Sequence, residues 1–271
     1  MNEAAFSITL DRFTGFGAHY DGVRPAAPAA LADLLLPMAG CGETARLVVD
    51  LGSGTGLSTR YWQRWAEAVI GIEPTDSMRE QAEQQGGGGD YISYRRGYSH
   101  RTGLPDGCAD LVICAQSLHW MEPAGTFTEA ARILRPGGVF AAYDYDWPPA
   151  TPFPEVDALY LECCARSRQL EKQHGLSGGL QQWDKPGHLE RMESSGRFRF
   201  VRECLMHHWD QGGAERLTGL LLSQGHVQTV LKNGLARESI GLDRLQAAAE
   251  SAFGAGQQPW FWSARIRIGI V

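Results

Sequence analysis

The sequence of 271 residues lacks the features that mark several common classes of protein. It has no run of basic residues, and 31 Asp and Glu outnumber 25 Lys and Arg, which gives a net charge of -6. Nucleic acid and anionic membrane are therefore poor partners. No apolar run approaches the roughly 18 residues of a membrane span, and Met1 to Leu10 lacks the basic flank and apolar run of a secretory signal. We expect a cytoplasmic protein.

The six cysteines contain no C-x-x-C pair and no zinc-site spacing. Several lie in apolar segments, where a free thiol behaves as a small hydrophobic side chain. His207 and His208 are adjacent in a strand-like pattern, so their side chains should face opposite ways. We therefore predict reduced, structural thiols and no metal site. A chain of this length can bury a sizeable core, and we expect one α/β unit with an insertion.

The most informative stretch is an apolar run that breaks into three glycines. Leu47 to Leu51 is of strand length, Gly52, Gly54 and Gly56 follow, and a helical pattern then extends from Leu57 to Trp65. Glycines in such a turn let backbone amides approach a ligand closely at the N-terminus of the helix. The pattern predicts a strand, a ligand-binding turn and a helix.

Two carboxylates accompany this turn. Glu73 ends the next apolar run, where a second parallel strand would present it to a ribose diol. Asp50 lies within the first strand, so the spacing is D-x-G-x-G-x-G rather than the dinucleotide pattern G-x-G-x-x-G. A carboxylate at that position would repel a pyrophosphate, but it suits a cofactor that carries an ammonium group and a sulfonium. The residues favour S-adenosylmethionine over NAD.

Strand and helix patterns alternate through the next part of the chain. They predict a helix over Thr75 to Gln85, a strand over Tyr91 to Arg96, a strand over Ala109 to Ala115, a helix over Glu122 to Leu134, a turn over Arg135 to Gly138 and a strand over Val139 to Tyr143. Such alternation predicts a doubly wound, mostly parallel sheet of the α/β class. Gln116, His119 and Trp120 follow the fourth strand, at the edge where open parallel sheets bind ligands.

The pattern changes after Asp144, where four prolines interrupt it. The predicted elements beyond them are helices over Phe153 to His174, Pro186 to Ser195, Ala214 to Leu222, Val227 to Lys232 and Leu242 to Phe253, and strands over Phe198 to Trp209 and Trp260 to Val271. Near the start of the chain, Phe6 to Tyr20 predicts at most a short helix, and Pro28 to Met38 a second one.

The stretch from Arg46 to Asp144 resembles the class I S-adenosylmethionine-dependent methyltransferases, and within them the small-molecule group that includes trans-aconitate methyltransferases (methyltransferase type 11). The motifs that carry the resemblance are the glycine turn, Glu73, Leu104-Pro105-Asp106 before the strand at Asp110, and Leu134-Arg135-Pro136-Gly137-Gly138. The resemblance implies a seven-stranded Rossmann-like sheet with an antiparallel last strand, and helical insertions that cover the substrate. It divides the chain into an N-terminal lid (1–45), a cofactor-binding core (46–150), a cap insertion (151–184), a core continuation (185–209), a second helical cap (210–258) and a final strand (259–271).

The resemblance also implies the members of the cofactor site, which are Asp50, Gly52, Ser53, Gly54, Gly56, Glu73, Met78, Ser99 and Gln116. Tyr20, in the segment before the first core strand, is a further candidate contact as part of a lid over the cofactor, with a surface or packing role as the alternative. The glycine turn would line the methionine part, Glu73 would hold the ribose hydroxyls, and Met78 would pack on the adenine. The family often has an acidic residue where this chain has Tyr98-Ser99-His100. Two simpler interpretations remain open, because Asp50 could cap the next helix and Met78 could be a core residue.

The acceptor site is predicted from position and chemistry. A sulfonium methyl is already activated, so the protein mainly has to align the nucleophile. A hydroxyl, phenol or amine acceptor also needs a base to remove its proton, and His119 lies where that base belongs. If His119 is the base, the rate should rise with pH through the titration of His119. A carboxylate acceptor needs no base and should give a flat pH profile over the same range. His119 could equally orient the substrate or bind the lid. Arg24, Trp120 and Trp147 are candidate substrate contacts, with surface or packing roles as the alternative.

These observations predict methyl transfer to an oxygen, nitrogen or carboxylate of a small molecule enclosed by the cap. One alternative is a methyltransferase fold that uses the cofactor without transferring a methyl group. The other is an NAD-dependent oxidoreductase, which the glycine spacing disfavours. The oligomeric state stays open.

Overall fold

The computed structural model describes residues 19–86 and 91–271, without the side chains of His19 and Tyr20. The helix predicted over Phe6 to Tyr20 therefore lies almost wholly outside the described residues, as does the cofactor contact predicted for the Tyr20 side chain.

The described residues contain a seven-stranded sheet whose strands are Ala45–Leu51 (β1), Ala66–Ile72 (β2), Ile92–Arg95 (β3), Ala109–Ala115 (β4), Leu134–Tyr145 (β5), Phe200–Gly212 (β6) and Gln258–Ile270 (β7). Their order is β3-β2-β1-β4-β5-β7-β6. The strands β1 to β5 pair in parallel, and β7 runs antiparallel to both β5 and β6. The predicted doubly wound, mostly parallel sheet with an antiparallel last strand is confirmed.

The helices of the described residues are His19–Val23 (α1), Leu31–Met38 (α2), Leu57–Trp62 (α3), Asp76–Gln84 (α4), Pro123–Ile133 (α5), Pro154–Gln173 (α6), His188–Ser194 (α7), Ala214–Leu222 (α8), Gly225–Lys232 (α9), Arg237–Ile240 (α10) and Leu242–Phe253 (α11). A short 3₁₀ turn spans Leu118–Trp120. Among these helices, none is both long enough and apolar enough to cross a membrane.

The central strands are apolar because helices cover both faces of the sheet. In β4 every residue except Ala115 is buried, as expected for a parallel strand with no solvent face. One face carries an apolar cluster that includes Leu35 and Trp62, and the other carries a cluster that includes Phe127 and Phe140. Since β1 and β4 are neighbours while their connections leave in opposite directions, the switch point of the sheet lies between their carboxyl ends.

The helices after β5 and β6 pack on one another and on the sheet. Tyr160 of α6 and Leu217 of α8 belong to the same buried cluster as Leu35. The Phe153 and Phe253 rings meet edge to face at 4.8 Å. The apolar core is therefore continuous between the sheet and the two predicted cap segments.

Many element boundaries differ from the predictions by one to three residues, and a few of the differences change an element. Residues 135–138, predicted as a turn, belong to β5, because the Gly137 N–H donates to the Val271 carbonyl at 3.1 Å and the Val271 N–H donates to the Gly138 carbonyl at 3.2 Å. β6 continues beyond Trp209 to Gly212 because it stays paired with β7. α3 ends at Trp62 rather than at Trp65, and α10 was not predicted.

Candidate active site

A cavity of about 800 Å³ lies at the carboxyl ends of β1, β2, β4 and β5. Most of the predicted site residues line it: Gly52, Ser53, Gly54, Glu73, Met78, Ser99, Gln116, His119, Trp120, Arg24 and Trp147. Asp50 and Gly56 do not line it. The cavity also touches residues from α6 and α9 and from the segment between α6 and α7, so it lies between the sheet and these helices.

The three glycines of the turn after β1 differ in what surrounds them. All three have positive φ, which favours glycine. A Cβ on Gly52 would lie 2.7 Å from Met121 Cε, whereas a Cβ on Gly54 would meet nothing nearer than Met78 Sδ at 3.8 Å. Gly54 therefore leaves its face of the turn open to the cavity. A Cβ on Gly56 would clash with Tyr94 Oη. Gly56, predicted to line the methionine part, instead makes room for Tyr94 behind the cavity wall.

Glu73 ends its strand as a buried carboxylate held by backbone donors. Its side chain accepts hydrogen bonds from the Gly54 N–H at 3.0 Å and from the Thr75 N–H at 2.9 Å. Burial raises the pKa of Glu73, and these N–H donors oppose that rise. A carboxylate has about four lone-pair positions, so two backbone donors leave room for the hydroxyl groups of a ligand. The bond to Gly54 also ties the end of β2 to the glycine turn.

Asp50 lies directly beneath the turn and is fully buried. Its Oδ2 accepts a hydrogen bond from Thr59 Oγ1 at 2.7 Å, while its Oδ1 has no partner within the described residues. Burial raises the pKa of Asp50 to about 7. The bond to Thr59 of α3 supports the simpler interpretation of Asp50 as a carboxylate that holds the next helix, while the unpartnered oxygen leaves one position for a positive group.

Gln116 is a strained residue at the carboxyl end of β4. Its φ is 53°, the only positive value among the non-glycine residues that the structure describes, and such strain often occurs at functional sites. Its N–H donates to the Tyr143 carbonyl at 2.8 Å, which holds the strained turn against β5. Nearby, the Ser99 hydroxyl is hydrogen-bonded to the Thr126 hydroxyl at 2.8 Å, so the side chain is anchored to α5.

His119 faces the cavity from the 3₁₀ turn after β4 and is almost completely buried. Its Nδ1 lies 3.7 Å from Asp144 Oδ1. Burial and then the positive charge of Lys185 lower the pKa of His119 to about 3, against the smaller opposing effect of Asp144. His119 is therefore uncharged at neutral pH. If His119 were the base, the reaction rate would rise with pH near pH 3, far below the neutral range. A rate that does not change with pH in the neutral range therefore does not distinguish a carboxylate acceptor from a hydroxyl, phenol or amine.

Asp144, at the end of β5, is the centre of a buried ion-pair cluster. Its Oδ1 lies 2.8 Å from Lys185 Nζ, and its Oδ2 accepts a hydrogen bond from Arg267 Nη1 at 3.3 Å. Arg267 is only 1% exposed and also pairs with Glu203 at 3.0 Å. Burial alone would raise the pKa of Asp144, but the charge of Lys185 holds that pKa below its ordinary value.

The chain between α1 and α2 forms another part of the cavity wall. Arg24 donates hydrogen bonds to the Ser223 hydroxyl at 2.9 Å and the Ser223 carbonyl at 2.7 Å, and its guanidinium lies 4.7 Å from the centre of the Trp147 ring. Asp21 of α1 accepts from Thr55 Oγ1 and pairs with Arg60. The N-terminal segment thus connects the glycine turn to the end of α8.

Sequence reasoning did not identify Asp144 as a site residue. It considered Lys185 only as one of four cations of the predicted cap that could hold an acidic substrate, with a solvated helix face as the alternative; the other three are Arg166, Arg168 and Lys172. Asp144 offered a positional signal, since it ends the fifth predicted strand at the same sheet edge as the glycine turn. The pairing of Lys185 with Asp144 had no signal in the sequence, because only the tertiary path of the chain after α6 brings Lys185 to the cavity.

The seven-stranded, mostly parallel sheet with an antiparallel β7 between β5 and β6 matches the Rossmann-like fold of methyltransferases. The family model described as "Methyltransferase domain" matches residues 49–142. These residues are therefore a methyltransferase domain of the class I, S-adenosylmethionine-dependent group, which confirms that prediction. The narrower resemblance to trans-aconitate methyltransferases stays a prediction.

Curated relatives share the same region. A probable S-adenosylmethionine-dependent methyltransferase of Saccharomyces cerevisiae is 31% identical over 159 residues, which covers 54% of this chain and 50% of the yeast protein. An uncharacterized methyltransferase of Mycobacterium tuberculosis is 37% identical over 136 residues, which covers 48% of this chain and 50% of that protein. The chain thus spans about half the length of the curated relatives it matches.

A solved structure from Anaeromyxobacter dehalogenans, described provisionally as a type II methyltransferase, has a TM-score of 0.64 with this chain at 23% identity. The likeness covers 91% of this chain and 97% of that one, and it concerns the fold. The shared fold therefore extends beyond residues 49–142 into the cap segments.

Proposed function

We propose that this protein transfers a methyl group from S-adenosylmethionine to a small molecule enclosed between the sheet and the cap. The observation that carries the proposal is the pair of buried carboxylates at the glycine turn. Glu73 is linked to the turn through the Gly54 N–H at 3.0 Å, and Asp50 lies beneath the turn with one oxygen that has no partner within the described residues. Two carboxylates beside such a turn suit a cationic nucleoside better than a pyrophosphate.

The residues present fit this cofactor. The unpartnered, buried Ser53 hydroxyl lines the cavity and would contact the ammonium group of its methionine part. The unpartnered Asp50 Oδ1 lies behind the wall and would hold that group through water. Glu73 would accept hydrogen bonds from the ribose hydroxyls with the lone pairs that its backbone donors leave available. Met78, which is buried and lines the cavity, would contact the adenine. When bound, S-adenosylmethionine supplies a methyl group on a sulfonium, whose departure as a neutral thioether drives the transfer.

Enclosure supports a small-molecule acceptor. A volume of about 800 Å³ lies in the upper part of the range of roughly 300–1,000 Å³ that small-molecule pockets occupy. Leu161, Cys164 and Arg168 of α6 and His226 of α9 line the part of the cavity on the cap side. Arg24 and Trp147 also line the cavity, and the proposal keeps them as candidate substrate contacts. A duplex or a folded protein would not enter such a space.

The chemistry of His119 suits orientation of the acceptor better than removal of its proton. An efficient general base has a pKa near the working pH, whereas burial and the charge of Lys185 lower the pKa of His119 to about 3. A neutral, buried imidazole can still form a hydrogen bond that holds the acceptor in line. We therefore favour an acceptor atom that is nucleophilic without a strong base, such as a carboxylate oxygen or a neutral amine.

The test uses the full chain and two independent measurements. Calorimetry should show binding of S-adenosylhomocysteine and no binding of NAD. Incubation with methyl-labelled S-adenosylmethionine and a panel of small carboxylates, amines, phenols and alcohols should then label an acceptor. Binding of NAD without binding of S-adenosylhomocysteine would overturn the proposal. Binding of S-adenosylhomocysteine with no labelled product across the panel would favour non-methylating use of the cofactor.

A further inference from the structure

The segment Gln182–Lys185, here called the strap, crosses the turn that carries His119. The Trp183 N–H donates to the His119 carbonyl at 2.8 Å. Asp184 pairs with Arg191, whose guanidinium lies 5.5 Å from the centre of the Trp183 ring. Gln182 and Lys185 line the cavity. The strap is therefore attached to the backbone of His119 and forms part of the wall beside it.

We propose that Lys185 is a positioning residue: by pairing with Asp144, it prevents that carboxylate from holding a proton on His119, so that the imidazole meets the acceptor uncharged. The inference deepens the proposed function, on which it rests. The pairing distance is 2.8 Å from Lys185 Nζ to Asp144 Oδ1, the same oxygen that lies 3.7 Å from His119 Nδ1. Lys185 and His119 thus compete for one carboxylate oxygen.

The charge balance of the cluster supports this role. The connected network has three negative charges, on Asp144, Glu203 and Asp146, and three positive charges, on Lys185, Arg267 and Arg265. The cluster is therefore neutral with an uncharged His119, and a proton on His119 would be an excess charge in a buried place. Without Lys185 the balance would be one negative charge, and a carboxylate near an imidazole stabilises the imidazolium.

The other charged or titratable groups around His119 also disfavour its protonation. His188 of α7 is fully buried, and burial lowers the pKa of this second histidine to about 4. Arg24, on the N-terminal segment, adds positive charge from another part of the cavity wall. Asp144 is the group that favours the imidazolium, and Lys185 is the cation nearest the oxygen that faces it. An imidazolium would repel the sulfonium, and it would lose the lone pair that accepts a hydrogen bond from an amine acceptor.

The test compares Lys185→Met with two matched variants. Lys185→Arg keeps the charge, and Asp184→Asn breaks the exposed pair with Arg191 in the same strap while leaving the cations of Asp144 in place. The readout is the ring signal of His119 in histidine-labelled protein without cofactor, followed from pH 4.5 to 8, with a His119→Gln sample to identify it among the eight histidines. Circular dichroism at each pH restricts the comparison to folded protein.

We expect the His119 signal to be invariant over this range in the wild type, in Lys185→Arg and in Asp184→Asn. In Lys185→Met it should move toward the protonated form below about pH 5.5, an upward shift of about 1 to 3 units in the titration midpoint. The kcat of Lys185→Met should fall between pH 7 and 5, while that of Lys185→Arg stays flat. A purely structural role for Lys185 would reduce activity without moving the titration.

Two results would overturn the inference. The first is an ordinary titration of His119 near pH 6.5 in the wild-type protein, a result that does not depend on any variant folding. The second is an identical His119 signal in Lys185→Met and the wild type at every pH. Because this readout needs no methyl transfer, it is independent of S-adenosylhomocysteine binding, so the failure of the inference and the failure of the proposed function are distinguishable.

Discussion

Replacing Glu73 by Gln tests the cofactor site most directly. The carboxylate is buried and accepts from Gly54 and Thr75 N–H groups at 3.0 and 2.9 Å. Gln has the same shape, but it carries no charge, and it has one acceptor oxygen where Glu73 has two. A hydrogen bond to a charged group contributes about 1.5–3 kcal/mol, so loss of the charge should weaken S-adenosylhomocysteine binding about 10- to 150-fold.

The assay is calorimetric titration with S-adenosylhomocysteine, alongside thermal unfolding. The matched control is Glu67→Gln, which makes the same change of charge at an exposed position on the same strand. The Glu73→Gln protein should also unfold at a lower temperature, because one of the two N–H donors then faces an amide nitrogen. An affinity for S-adenosylhomocysteine within twofold of the Glu67→Gln value would refute the assignment of Glu73 to the ribose hydroxyls, whatever the change in stability.

Two further predictions concern the pH dependence of binding and the role of His119. Burial raises the pKa of Asp50 to about 7, so this carboxyl is protonated below that pH and must ionise to hold an ammonium group. The affinity for S-adenosylhomocysteine should therefore rise between pH 6 and 8. Asp50→Asn should remove this pH dependence, and an unchanged dependence in the variant would contradict the contact. His119→Ala should lower kcat about tenfold with little change in cofactor affinity, as expected for loss of one orienting hydrogen bond. A loss of roughly 100-fold or more would instead indicate proton transfer by His119, and near-normal turnover would show that it is a wall residue.

Much of the fold could be predicted from sequence because its determinants are local. The predicted bounds of β4, α8 and α11 agree with the structure, since buried strands and amphipathic helices have periodicities that a short window reveals. The predictions were wrong where pairing with a distant strand decides the outcome. Residues 135–138 have the composition of a turn, yet hydrogen bonds to the C-terminal residue Val271 incorporate them into β5.

The candidate site divides in the same way. The open face of Gly54 and the acidic end of β2 follow from a glycine-rich turn and the next strand, which are close in sequence, and the bond from Gly54 to Glu73 joins them. Gly56 belongs to the same motif, but its role depends on Tyr94 from another strand. A motif therefore identifies the turn, while packing decides which of its glycines face the ligand.

By itself the sequence determined the class of the fold, the sheet edge that carries the site and the chemistry of its cofactor end, because periodicity, turn residues and charge are properties of neighbouring positions. Only the tertiary structure decided the acceptor end. Arg24 reaches Ser223 across 199 positions of sequence, and Lys185 reaches Asp144 from beyond the whole of α6. Those two contacts set the wall of the cavity and the charge state of His119. Contacts of this kind depend on where the chain returns after long connections, and no local pattern encodes that path.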